Sequence, residues 1–480
     1  MPIHPVINPA LDLIRSLVLG AGLALCCLPR TGQAQSPVET HELNLDQARQ
    51  LAVLALQSGD PGLAIQVSKG LLKANPRDPF AYSVIAQAHA RLNQPNLSRR
   101  AAALAYRYSE SDEARFQAAQ QAARMAYTEG RPTLAQIWLR RTAIHAPSER
   151  EEKLVAKDYQ ALRAINPWFF RLRTDLRPSS NVNNGADTAL QTIDGDPTIG
   201  TISGDGRALS GLIGTLDIST TYRLQANESS RTSVGARLYV QRVGLSSAAR
   251  DLAPNAQNSD YSSTYAEISV RRAFAVGEKE AGGSAEIEAA LGESWYAQQR
   301  NYRFGRASAQ RGWRLGQGRT KLTLSAMGEL RGKARYGSND ARILGAGAVL
   351  SRALSNGDRL GMSLALRNAK TRDSLWFMGN FSSASVRTSY TLGKSVGPAK
   401  VSAGLVFGYS DYPVYRVATI AAPGGRQDKS LYGDLSLFFD EYDYAGFAPL
   451  LRVRAGRKYS NISRFDTREF SVSLGIESKF

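Results

Sequence analysis

The sequence predicts an α+β multidomain chain: α-helical repeats followed by a 14-stranded antiparallel transmembrane β-barrel. Three observations predict it. The text changes near Asn166-Pro167 from Ala-rich, helix-spaced segments to Gly-rich alternation. Of the 42 Gly, 7 lie in residues 1–165 and 35 beyond. The mean hydropathy of −0.30 excludes a bundle of membrane-spanning helices, each of which needs about 20 apolar residues in a row. It still permits a membrane barrel, where only alternate residues face lipid. A 43% hydrophobic content excludes wholesale disorder.

Residues 1–34 read as a secretory signal peptide. Arg15 supplies a weak positive flank, offset by Asp12, and Ser16–Leu28 is an apolar core too short to stop transfer. Gly32-Gln33-Ala34 places small residues where a signal peptidase requires them. Cys26 as a lipid attachment site is disfavoured by bulky Leu25 before it. Cys26 and Cys27 are the only cysteines, so the chain after residue 34 has no disulfide, thiolate metal site or cysteine nucleophile.

Residues 35–165 are expected to form a helical domain of tetratricopeptide type. Leu51, Leu54, Ala55, Leu63, Ile65, Val67, Leu71 and Leu72 keep helical spacing around a Gly59-Asp60-Pro61 break. Gly59, Ala64 and Pro76 recur as Gly130, Ala135 and Pro147. A degenerate middle copy carries Tyr82, Ala86, Asn93, Ala102 and Ala105 in phase. A period near 34 residues, with a turn Gly, a small residue at the helix crossing and a closing Pro, resembles the tetratricopeptide repeat over residues 44–150. Stacked helix pairs present a concave face for docking peptide or protein. Arg99, Arg100, Arg140 and Arg141 are candidate contacts on it.

Residues 166–480 read as the barrel. Phe170, Leu172, Thr174 and Leu176 alternate with Arg171, Arg173, Asp175 and Arg177. At the far end Phe470, Val472, Leu474 and Ile476 share a face. Between these ends twelve further strands are expected, near 209–226, 231–245, 261–276, 284–298, 302–314, 320–331, 341–354, 359–369, 380–392, 399–409, 429–439 and 448–460. Alternate connections are short, at 227–230, 277–283, 315–318, 355–358 and 393–398. The intervening ones are mostly longer, including 180–208, 246–260 and 410–428. That is the outer-membrane pattern, with short turns on one side and long loops on the other. An even strand number puts both barrel termini on the short-turn side, so the repeats would lie in the periplasm beneath the pore. The ending Ser473-Leu474-Gly475-Ile476-Glu477-Ser478-Lys479-Phe480 resembles the terminal signal read by the barrel assembly machinery, through Gly475 and the final aromatic Phe480. Ser478 departs from that signal, where an apolar residue is usual.

The chemistry argues against an enzyme. The histidines are His4, His41, His89 and His145, all before the barrel, so a histidine-assisted site on its rim is unavailable. No cofactor and no metal site is expected. Glu286 and Glu288 share a strand face and would line the lumen opposite arginines; Asp440, Glu441 and Asp443 lie in a turn. Gly345-Ala346-Gly347 lacks the helix a phosphate loop needs. The net charge of +18 divides into +5 before residue 166 and +13 after it. Its spread through strands, with no basic helix or aromatic platform, speaks against nucleic acid. A basic lumen and contacts with anionic outer-membrane lipid account for it.

After the first strand comes Pro178-Ser179-Ser180-Asn181-Val182-Asn183-Asn184-Gly185-Ala186, opening a loop with Asp194-Gly195-Asp196 and Gly204-Asp205-Gly206. Asn, Asp and Gly there suit turns; the ligand spacing is poor for calcium. The short helical-repeat domain, the 14-strand barrel and the Ser180-Asn181-Val182-Asn183 loop together resemble the surface lipoprotein assembly modulators, also described as type XI secretion translocons. The resemblance implies an outer-membrane translocon that moves specific cargo proteins, surface lipoproteins or soluble haem-binding proteins, to the cell surface or medium. It implies cargo with a small C-terminal barrel as partner. Asn181 and Asn183 match the motif and become candidate cargo contacts. No nucleotide motif appears, so the driving force would be cargo folding outside or a handover from periplasmic chaperones. A polysaccharide exporter also joins such repeats to a barrel, typically with more repeats and sixteen strands. A nonspecific porin would not need the repeats.

Overall fold

A computed structural model describes residues 43–277, 282–333, 340–371, 379–417, 420–442, 444 and 447–478. The expected signal peptide with Cys26 and Cys27, and also His4, His41, Asp443 and Phe480, lie outside the described residues.

Seven helices precede the barrel: α1 (Leu45–Gln57), α2 (Pro61–Ala74), α3 (Pro79–Arg91), α4 (Pro95–Tyr108), α5 (Asp112–Thr128), α6 (Pro132–Ile144) and α7 (Glu149–Ile165). They form three antiparallel pairs and a closing helix. The turn inside each pair uses one left-handed residue: Gly59 (φ 84°), Asn93 (φ 53°) and Gly130 (φ 70°). Asn is the non-Gly residue that tolerates this conformation best, so the middle repeat keeps its turn without a glycine. Each second helix then starts with a proline, Pro61, Pro95 or Pro132, where a missing N–H costs nothing. One turn later sits a small, fully buried residue, Ala64, Ser98 or Ala135. Ser98 donates its hydroxyl to the Ala86 carbonyl at 2.7 Å, so the polar substitution at this crossing is satisfied. The alanine-rich core around Ala119, Ala122 and Ala126 is closed by Trp138, Val155 and Tyr159, which tie α7 to the last pair.

The barrel follows without a linker domain. Its strands are β1 (Trp168–Ser179), β2 (Gly211–Ala226), β3 (Ser230–Leu245), β4 (Ser263–Val276), β5 (Gly283–Tyr296), β6 (Gln299–Leu315), β7 (Thr320–Lys333), β8 (Ala341–Ala353), β9 (Arg359–Thr371), β10 (Phe381–Thr391), β11 (Lys400–Tyr412), β12 (Arg426–Phe438), β13 (Phe447–Ser460) and β14 (Thr467–Ser478). Each pairs antiparallel with its neighbours in sequence, and β1 pairs with β14 to close the sheet. The fourteen expected strands are the fourteen observed. Boundary differences reach three residues: β11 ends at Tyr412 rather than near 409, β12 begins at Arg426 rather than near 429, and β6 begins at Gln299 rather than near 302. For β6 the reason is the β5–β6 connection, a two-residue turn through Ala297 (φ 50°) and Gln298 (φ 60°).

The outer strand faces carry an exposed apolar series: Phe170, Ile268, Leu291, Leu330, Leu344, Leu364, Phe407, Leu431 and Leu474 follow one another around the outside. A soluble protein does not carry so continuous an apolar belt. Aromatics gather at its edge beside the chain entry, where Trp168 packs on Tyr222 at 4.7 Å and on Phe170 at 5.7 Å. No described helix is long and apolar enough to cross a membrane.

The seam between first and last strands has a gap in its pairing. β1 pairs with β2 along its whole length, from Trp168 opposite Tyr222 to Ser179 opposite Gly211. With β14 the pairing runs from Thr174–Ile476 to Leu176–Leu474, lapses, and resumes in the same register at Ser179–Ser471. The gap falls at Pro178, which has no N–H to donate. Gly475 lies in the paired part. A Cβ there would come within 2.5 Å of the Thr174 carbonyl oxygen, so a glycine suits the close approach of β1.

Candidate functional site

The inward strand faces build a lumen with two kinds of wall. From β2 to β7 it is an ionic network. Arg237 bonds both oxygens of Asp217 at 2.9 and 2.7 Å. Arg271 bridges Glu286 at 3.1 Å and Glu288 at 2.9 Å. Arg306 reaches Glu267 at 2.6 Å and lies 3.8 Å from both Glu288 and Glu329, while Arg331 holds Glu329 at 2.7 Å. The paired carboxylates Glu286 and Glu288 are therefore part of the lining, as their position opposite arginines suggested. Each such pair, wetted by the lumen, contributes about 0–1 kcal/mol, but the chain of shared partners fixes where the side chains stand.

Across β8 to β11 the lining is small. Gly347 approaches Ser325, Gly361 approaches Ser389 and Gly408 approaches Ser430, each too closely for a Cβ without displacement of the serine hydroxyl. Ser363, Ala365, Ser385 and Ser402 continue this face by register. Arg387 crosses it to bond Asp434 at 2.7 and 2.8 Å, passing over Gly404, where a Cβ would meet its guanidinium.

The helical domain is fastened to the mouth carrying the short connections. Arg223, at the end of β2, donates to the carbonyls of Ala164, Ile165 and Asn166 at 2.9, 2.6 and 3.2 Å. These are orphan acceptors at the C-terminus of α7, where a cation is also favoured by the helix dipole. Buried Asn166 bonds Gln136 at 2.6 Å and Thr133 at 3.2 Å, tying the junction to α6. Arg140 of α6 stacks over Phe447 at the start of β13, 4.5 Å from the ring centre.

The opposite mouth is covered. The loop 180–210 folds inward and is clipped by its own asparagines. The Asn183 amide donates to Asp205 and Arg207 carbonyls at 2.8 and 2.7 Å and accepts from Leu209 N–H at 2.9 Å. Asn181 exchanges two 2.8 Å bonds with the backbone of Gly185. Gly185 is required there, because a Cβ would lie 2.2 Å from the Arg207 oxygen. Val182 and Leu209 then pack with Ile213, Val243, Ala249 and Ala253, using a short helix α8 (Ser247–Leu252). Further along, a hairpin of Leu190–Ile193 with Asp196–Thr201 reaches the last loop: Ile193 bridges Ile462, and Thr192 N–H donates to Ser463 Oγ at 2.8 Å. Ile193, Ile462 and Ala422 form a small apolar core beside Tyr415 and Phe465. Arg426 lies under it, 3.3 Å from the centre of the Phe465 ring and 4.2 Å from that of Tyr412. Beneath the cap is a cavity of about 520 Å³ lined by Arg173, Asp175, Tyr239, Tyr432 and Glu469 among others.

The candidate contacts divide accordingly. Asn181 and Asn183 hold the cap's backbone. Arg99 is paired with Glu129 at 2.7 Å between α4 and α5. Arg140 also bonds the Tyr159 hydroxyl at 2.9 Å, and Arg141 lies over Trp138 at 4.5 Å. Arg100 is exposed. Gly475 is in the seam. The structure does not bring the four arginines and the two asparagines together; they belong to opposite mouths. His145 bonds Asp112 at 2.8 Å and the Tyr106 hydroxyl at 3.1 Å, and His89 bonds Gln94 at 2.8 Å. Sequence reasoning missed Arg223, Gln136 and Phe447 at the junction. The signal was the position of Arg223 one residue pair beyond Trp168 in the β1–β2 register, which is visible only once the strands are paired.

No family model matches the chain and no curated protein matches it. Among solved structures, the helical part is similar to the Yersinia enterocolitica type III secretion translocator chaperone SycD, at 18% identity over 26% of this chain and 88% of that one (TM-score 0.24). The barrel is similar to the COG4313 outer membrane channel from Pseudomonas putida F1, at 10% identity over 64% and 94% (TM-score 0.34), and to a bacterial polysaccharide outer membrane secretin, at 10% over 64% and 98% (TM-score 0.30). Likeness this low leaves the function to be read from the chain itself. A closed even-stranded barrel with an apolar belt and polar lumen has the outer-membrane architecture.

Proposed function

We propose that this chain is an outer-membrane translocon that moves specific cargo proteins, surface lipoproteins or soluble haem-binding proteins, from the periplasm to the cell surface or medium. The helical repeats would stand in the periplasm and receive cargo from chaperones; the barrel assembly machinery would insert the barrel. One observation carries the reading: a domain of stacked helical repeats is clamped to one mouth of a charged lumen through Arg223 and Arg140. A pore for small solutes has no use for such a receiver. The protein would perform no chemistry of its own, and cargo folding outside would draw the process forward. The sequence resemblance to the lipoprotein assembly modulators supports the cargo class.

The test is deletion of the chromosomal copy, followed by mass spectrometry of proteins shaved from intact cells and of proteins in the medium. Loss of one or two proteins, retained in the periplasm, is the expected result. An unchanged protein profile with altered surface carbohydrate would replace this reading with export of an anionic exopolysaccharide, which the arginine-rich lumen also suits.

A further inference from the structure

Where α7 meets the barrel, a cavity of about 660 Å³ opens inside the short-turn mouth. Its walls carry seven arginines and only two carboxylates, Asp217 and Glu267. The imbalance survives pairing. Arg237 and Arg271 are neutralised within the ionic network, and Arg173 reaches Glu477 at 2.8 Å. Arg223 is held by the α7 carbonyls. Among the described residues, Arg163, Arg171 and Arg231 have no carboxylate within ion-pair distance. Cations gathered around one concavity repel each other and concentrate anions there.

Two further features bear on what fits. Arg163 and Arg171 both lie over the Phe169 ring, 4.6 and 5.7 Å from its centre. These contacts hold both cations beside one ring, and a guanidinium with no carboxylate partner offers the fork of N–H donors that takes a carboxylate in a bidentate grip. Phe169 is also the one aromatic lining the cavity among the described residues, and two cations already share its ring, which leaves little aromatic surface on which a sugar could stack. The cavity is lined by lumen-facing positions of β1 to β4 and by α7, so a lipid headgroup outside the barrel does not reach it.

We propose that this cavity is an entry site for a carboxylate-rich peptide segment, gripped by Arg163, Arg171 and Arg231 as a chain passes from the helical repeats into the barrel. The proposal rests on the protein-cargo reading, and its test separates the two. The full-length protein in detergent is titrated into fluorescein-labelled deca-glutamate, with deca-lysine, an oligogalacturonate and inorganic phosphate as comparison probes. Deca-glutamate should bind most tightly. The triple variant Arg163→Gln/Arg171→Gln/Arg231→Gln should weaken it at least tenfold and flatten its salt dependence. Arg314→Gln/Lys321→Gln/Arg359→Gln removes equal charge elsewhere on the barrel and should weaken it less than threefold. Heat-modifiable gel migration confirms that both variants keep a folded barrel. Equal losses in the two triples would overturn the site. Tighter binding of oligogalacturonate would overturn the peptide assignment in favour of an acidic glycan. If deletion leaves every protein in place while the first triple still abolishes deca-glutamate binding, the site stands and the cargo reading fails. If specific proteins are retained but binding is indifferent to the triple, the site fails alone.

Discussion

Asn183 shows what a single side chain does in this fold. Its amide satisfies two carbonyls and one N–H of a loop that would otherwise cross the mouth without support. Asn183→Ala leaves those groups to find water or stay unpaired, at a cost of about 1–3 kcal/mol. The barrel, held by its own ladder, should melt as before. Limited proteolysis should cut within 186–204 in the variant and spare the parent; equal resistance would mean that the Val182 and Leu209 packing suffices alone. The asparagines were conspicuous in the sequence, but their partners were not. Asp205, Arg207 and Leu209 lie more than twenty residues on, and only the folded loop sets their carbonyls and N–H groups around one amide. Asn93 is the opposite case. Its phase between Gly59 and Gly130 already implied a left-handed turn, because local backbone geometry is written locally.

Elements were legible wherever a solvent boundary imposed a period. Lipid outside and water inside force alternation on every strand, so all fourteen could be counted before pairing. Helix pairs announced themselves through turn and proline spacing. The cap was not legible, because its hairpin Leu190–Ile193 and Asp196–Thr201 is stabilised by Ile462 and Ser463 from the other end of the chain. The gap in the β1–β14 seam was equally hidden, since pairing depends on both strands. Pro178→Ala restores the missing donor. One added hydrogen bond, about 1 kcal/mol, should slow amide exchange at Val472 and Leu474 roughly fivefold. Global stability should barely move, because the unfolded chain regains a similar entropy when proline is lost. Unchanged exchange would place the cause of the gap elsewhere in β14.

The whole molecule is a barrel with stacked helical repeats at one mouth and a folded loop, the lid, at the other. Transport then requires the lid to part, and residues 35–480 contain no cysteine to confuse a crosslink. Ile193→Cys/Ile462→Cys joins two facing residues of lid and rim. In planar bilayers the oxidised variant should stay at the lowest conductance level, and reductant should restore larger openings. Openings unaffected by oxidation would show that the lid is not the gate. Within the lumen, the contrast between a wall of arginines and carboxylates and a wall of glycine and serine has a kinetic side. A chain that binds at every step crosses a rugged free-energy profile and lingers in each well. One that travels along Gly347, Gly361 and Gly408 meets mostly short side chains, with Arg367 and Arg387 among the long ones on that wall. On the proposed translocon reading, the path of fastest diffusion would lie off the barrel axis, against β8 to β11, with the charged wall serving as a rail rather than a trap.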